Sequence, residues 1–173
     1  PEWTIPNTSG THVNVRSGTS SGSSCATSWG TSTSHSLILL HSSNDSGGLC
    51  GRTAIEFDVS TVDSDALLTG VSLQLTLDAS AWATNSSTES PATSLDIMEM
   101  TTHDLSSLSL ADLATDIADG SVYINDDTTI GSSYSAVTPT FNLGSDAFDD
   151  LKNALPSGLF SVGLKHGDEV RTV

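Results

Sequence analysis

Few residues in this chain are spaced for covalent or metal chemistry. Gly18-Thr19-Ser20-Ser21-Gly22 spells G-x-S-x-G, but that pattern makes a nucleophile only where a strand turns sharply into a helix. Here it opens a Ser/Gly/Thr-rich loop with no helix after it, so it reads as a coincidence of composition. The five histidines, His12, His35, His41, His103 and His166, form neither H-x-x-x-H nor H-E-x-x-H, and no zinc motif results. Glu56 and Asp58 stand two apart on one strand and share a face, the wrong arrangement for carboxylates that flank a glycosidic bond. Glu99 and Asp104 have no better credentials, and a hydrolase is only a distant alternative.

Two binding chemistries have more support. Asp63-Ser64-Asp65 and Asn125-Asp126-Asp127-Thr128 gather hard oxygen ligands in loops, the donors that Ca²⁺ takes. Neither has EF-hand spacing, and solvated loop acids are the competing reading, so a structural Ca²⁺ through Asp63, Asp65, Asp126 and Asp127 is left open. Trp29 and Trp82 fall in loops. They are either stacking platforms for a sugar ring or plugs over the core, because an indole buries well.

Charge narrows the partners. The chain has 5 Lys+Arg against 21 Asp+Glu, a net charge of −16, which repels phosphate backbones and anionic membranes. No apolar run reaches the roughly 18 residues of a membrane span, so neither nucleic-acid binding nor membrane insertion is expected. Scarce lysine and abundant Ser, Thr and Gly suit an extracellular or virion-surface protein. In an oxidising exterior Cys25 and Cys50 would form one disulfide, contributing about 3 kcal/mol on the chain-entropy model; two buried thiols are the alternative.

The elements that would position these residues are mostly strands. His12–Arg16 alternates, 36–41 is a short apolar strand, and 53–59 puts Ile55, Phe57 and Val59 on one face. In 71–77, Val71, Leu73, Leu75 and Leu77 point one way and Ser72, Gln74 and Thr76 the other, the period-two signature of a half-buried antiparallel strand. Residues 94–100 have Leu95/Ile97 on one face and Met98/Met100 on the other. Helical spacing appears at 109–120, with Leu110, Leu113, Ala114 and Ile117 inward, Ser109 as cap and Gly120 as stop. A second short helix is expected over 146–155, with Ser145 as cap, Phe148, Leu151 and Leu155 inward, and Pro156 ending it. Residues 122–124, 138–143 and 159–165 complete the strands. The expected fold is an all-β, antiparallel, jelly-roll-like β-sandwich with one or two short helices in crossover loops, a single domain over 1–173. Phe160, Val162 and Leu164 alternate like a core strand close to the end of the sequence. That suggests a missing final strand, supplied by truncated sequence or by a neighbouring chain; a compact fold that ends at Val173 is the alternative.

The passage from Arg52 to Leu77 resembles the core of DNRLRE-type β-sandwich domains, through Glu56-Phe57-Asp58-Val59, Ser60-Thr61-Val62, Ala66-Leu67-Leu68 and Val71-Ser72-Leu73-Gln74-Leu75. Phe141-Asn142-Leu143 and Leu159 to Leu164 fit the second half of that pattern. Glu56 departs from it by replacing a basic residue. The resemblance implies a jelly-roll-like scaffold of secreted, cell-surface or virion-associated proteins, with the 51–79 stretch as its central hairpin and no catalytic residues to carry over. The expected function is a non-enzymatic structural subunit that partners copies of itself or a larger surface assembly, as fibre, filament or capsid decoration. A carbohydrate-binding module, with a polysaccharide partner, is the alternative.

Overall fold

The computed structural model describes residues 4–5, 12–20, 24–25, 28–31, 40–41, 49–76, 95–126 and 138–166. The chain forms an all-β, sandwich-like fold of antiparallel sheets with two short helices. The strands are β1 (His12–Ser20), β2 (Ser24–Cys25), β3 (Gly30–Thr31), β4 (Leu40–His41), β5 (Leu49–Asp58), β6 (Ser72–Gln74), β7 (Leu95–Glu99), β8 (Val122–Asp126), β9 (Thr140–Asn142) and β10 (Leu159–His166). The helices are α1 (Leu110–Asp119) and α2 (Gly144–Ala154). The larger sheet runs β2-β1-β5-β10-β7-β8, with β3 also on β1 and β4 also on β5; β6 and β9 pair separately.

Alternation along the strands sorts side chains to the two faces of the larger sheet. The inner face carries Ile55, Leu95, Ile97, Phe160, Val162 and Leu164, which pack with Leu73 of β6, Phe141 of β9 and Ala147 and Ala154 of α2. The outer face carries Val15, Ala54 and Met98, covered by Leu113, Ala114 and Ile117 of α1. Helix α1 comes this close because β10 has Gly163 beneath it. A Cβ there would lie 3.0 Å from two carbons of Ile117 and 3.2 Å from the Met100 sulfur.

The β5–β6 passage departs from the expected hairpin. The two strands do not pair. β5 sits between β1 and β10, whereas β6 crosses to the other layer, where Leu73 faces Phe141 of β9. The connection carries buried Val59 and Val62 between the layers, so the two strands keep the expected alternation but pair with other partners. β5 is also not half-exposed. Its Glu56 side holds buried Arg52 and Ala54 because α1 covers it.

The α1 signals hold: the Ser109 hydroxyl accepts from the Asp112 N–H, and the chain leaves the helix at Gly120. For α2 the start differs from the expected Ser145 cap. The helix begins at Gly144, and the side chain of Asn142, not of Ser145, accepts the Gly144 N–H at 3.1 Å. Phe148 is half-buried while Ala147 and Ala154 are buried, so small residues seat this helix on the core. Leu155–Ser157 tightens into a 3₁₀ turn around Pro156, closed by Gly158 at φ 75°.

Candidate functional site

The outer face beside α1 holds an open groove of about 360 Å³, lined by Thr101, Thr102, Leu108, Asp112, Thr115, Asp116, Asp119 and Gly120. Two of its carboxylates have structural duties. Asp116 accepts from the backbone and hydroxyl of Thr101 and from the Thr102 N–H, at 3.1, 2.5 and 3.1 Å. Asp112 accepts the Ser109 hydroxyl at 2.6 Å at the start of the helix. The Thr115 hydroxyl donates to the Ala111 carbonyl at 2.9 Å, and with Thr102, Leu108 and Asp119 it completes a lining that offers oxygen acceptors to hydroxyl groups and repels anions. Among the described residues no group of three His, Cys, Asp or Glu side chains converges to hold a metal.

A Ser–His pair lies nearby. Nδ1 of His103 is 3.3 Å from the Ser161 hydroxyl and accepts the Ser161 backbone N–H at 3.2 Å, which places the ring proton on Nε2. Ser161 is fully buried, and its hydroxyl donates to the Thr102 carbonyl at 3.1 Å. A nucleophile needs its proton aimed at the base and its oxygen open to substrate; this serine has neither. The pair is a latch holding the 101–105 segment to β10, helped by Glu56, whose carboxylate accepts the Leu105 N–H at 2.9 Å. Burial lowers the His103 pKa, against the opposing pull of Asp150, Asp116 and Glu99.

The third feature is the sheet margin at β8. Its pairing with β7 slips between Ile97 and Met98, leaving Tyr123 as the extra residue of a bulge. By alternation Tyr123 would face outward with Asn125. The bulge turns it inward instead, where it packs against the inner core and donates to Asp150 of α2 at 2.6 Å. Burial, and then this bond to a carboxylate, raise its pKa well above the phenol range. Among the described residues no strand pairs with the outer side of β8, and Val122 on it is 45% exposed.

The residues singled out from sequence are scattered. Trp29 is half-buried, lies 4.5 Å over the Arg52 guanidinium and packs against the outer core, the arrangement of a plug. Trp82 and Asp127 lie outside the described residues. Asp126 ends β8, opposite Leu95. Asp63 and Asp65 are exposed, and the Asp63 carboxylate accepts the Asp65 N–H at 2.9 Å, closing the loop locally. Cys50 is fully buried on β5 and is not a free thiol; Cys25, in β2, sits opposite Thr19 of β1.

The sequence reading missed a polar row that is buried at Arg52, Lys165 and Asp96 and reaches the surface at Asn125. Arg52, Lys165, Asp96 and Asn125 sit opposite one another in register across β5, β10, β7 and β8. Lys165 Nζ lies 2.5 Å from Asp96 Oδ2, Asn125 Nδ2 donates to Asp96 Oδ1 at 2.8 Å, and Arg52 donates to the Ala114 carbonyl of α1. The available signal was a charge set directly against the apolar core positions of each strand, Asp96 between Leu95 and Ile97 and Lys165 after Leu164.

No protein-family model, curated protein or solved structure matches this chain.

Proposed function

We propose that this chain is a non-enzymatic structural subunit of an extracellular or virion-surface assembly, joined to its neighbours along β8. The observation that carries this reading is the outer side of β8, unpaired among the described residues and bordered by exposed Val122. An unpaired edge offers backbone donors and acceptors to an incoming strand, and the bulge leaves residues 124–126 as its regular part. The net charge of −16 keeps such a subunit soluble until specific contacts form. The resemblance to DNRLRE-type scaffolds supports the same reading, and an oxidising exterior suits a Cys25–Cys50 disulfide, since Cys50 is not a free thiol.

Light scattering on the purified chain, with negative-stain imaging of the same sample, tests this. The expected result is ordered polymers or a fixed oligomer that Val122→Lys returns to monomer. A second reading, carbohydrate binding, draws on the hydroxyl-and-carboxylate groove beside α1. A wild-type monomer at every concentration, retained on a polysaccharide matrix, refutes the first reading in favour of the second.

A further inference from the structure

The buried part of this row, Arg52, Lys165 and Asp96 on β5, β10 and β7, has no part in edge pairing or in the groove. We propose that Lys165 and Asp96 are the site of an intramolecular amide cross-link, joining β10 to β7 through their side chains. The proposal is independent of the assembly reading and holds or fails on an isolated monomer.

Four observations carry it. Nζ and Oδ2 are in direct contact, 2.5 Å apart. Both side chains are withdrawn from water, at 4% and 6% exposure. The strands are adjacent and the two residues directly opposite, so the ladder, not side-chain chance, holds amine to carboxyl. Finally, the Asn125 amide donates to the other carboxyl oxygen, where negative charge develops as the carbonyl carbon is attacked.

Among the described residues the ion pair is also incompletely satisfied. The ammonium group has three hydrogens, and the Asp96 carboxylate is the one acceptor recorded for it among the described residues. A low-dielectric site penalises two charges and unused donors. Condensation removes both charges and leaves a single amide N–H.

The step balances without a co-reactant. A proton passes from Nζ to Oδ2 along their contact, giving a neutral amine and a carboxylic acid. The Nζ lone pair attacks Cγ, forming the Nζ–Cγ bond, with Asn125 Nδ2 donating to the Oδ1 oxyanion. The nitrogen then gives a second proton to Oδ2, the Cγ–Oδ2 bond breaks, and one water leaves. No atom is oxidised or reduced. Held opposition of the two groups supplies the effective concentration that free amines and acids lack.

Intact mass of the full chain, measured after reducing the cysteines, is the test. The expected mass is lower than the sequence mass by one water, about 18 Da. Trypsin has sites at Arg16, Arg52, Lys152, Lys165 and Arg171, so the link should yield a branched species, peptide 53–152 joined to 153–171 and uncut at Lys165. Fragmentation should locate the branch at Asp96, and Lys165→Met or Asp96→Ala should restore the full mass. An unmodified wild-type mass with free peptide 153–165 overturns the proposal. Loss of about 17 Da, one ammonia, with the branch at Asn125 also overturns it, because that assigns the electrophile to the neighbouring amide.

Discussion

Gly120, where α1 passes into β8, offers a stringent test of this packing. A Cβ built there would lie 2.1 Å from the Glu99 carbonyl oxygen, 3.0 Å from the Glu99 carbonyl carbon and 3.3 Å from the Asp116 oxygen. All three atoms are backbone, so no side chain can swing aside. Relief requires the helix end to move away from β7 by about 1 Å, straining the Gly120 N–H to Asp116 bond or the Glu99 N–H to Ser121 bond, now 3.1 and 2.8 Å. Losing one such bond costs about 0.5–1.5 kcal/mol, and overpacking a filled site adds about 1–3 kcal/mol. Gly120→Ala should therefore destabilise by about 2–4 kcal/mol, a large share of the 5–15 kcal/mol typical of a domain. Gly70→Ala is the matched control. It has nothing within 4 Å of the added carbon, and reduced freedom of the unfolded chain should leave it neutral or stabilised by up to about 1 kcal/mol. Urea unfolding followed by circular dichroism reads both variants. If Gly120→Ala falls within about 0.5 kcal/mol of the parent, the helix–strand junction described here is wrong.

Two further predictions concern titration. His103 is held neutral by burial, with its pKa below the ordinary 6.5, so the unfolded chain binds its proton more readily. Stability should drop as pH falls below about 6.5 and level off under the folded-state value; in His103→Asn, which retains an acceptor near Nδ1, that component of the pH dependence should vanish. Persistence of the full slope in the variant would show that other groups cause it. Tyr123 has its pKa raised above 10, so it stabilises the fold below that pH and the contribution is lost as pH rises further. Of the two tyrosines, Tyr123 should resist ionisation in ultraviolet titration until the chain unfolds, and Tyr123→Phe should cost about 1.5–3 kcal/mol through the lost bond to Asp150. Reversible ionisation of Tyr123 near pH 10 in the folded chain would refute its burial.

Local signals in the sequence translated well. Leu73 and Leu75 are buried while Ser72, Gln74 and Thr76 are exposed, and Ser109 and Gly120 bound α1, because periodicity and capping are set by near neighbours. Pairing is set at long range. Nothing in the 51–79 stretch says that β6 should leave β5 for β9; that depends on Phe141, almost seventy positions on, offering Leu73 a partner. The same limit hid the buried row. Arg52, Asp96 and Lys165 look like isolated surface charges until register aligns them, and the alternation that buries Met98 buries Asp96 with it. Trp29 was legible only as a choice between ligand platform and plug, because the Arg52 guanidinium 4.5 Å from its ring comes from a strand more than twenty positions on.

The placement of β5 also has a mechanical consequence. Its antiparallel ladders to β1 and β10 run over seven residue pairs each, so β1 and β10 point in the same direction on either side of it. Tension applied between the start of β1 and the end of β10 therefore pulls the two strands in opposite senses along a shared axis. Such a force slides the strands past β5 and loads the rungs of each ladder together, where a pull across the sheet would peel them one at a time. Rupture under load is governed by the barrier to unfolding rather than by equilibrium stability. In this geometry even modest hydrogen bonds resist stretching as a group, and a side-chain bond from Lys165 to β7 would make β10 and β7 move as one unit.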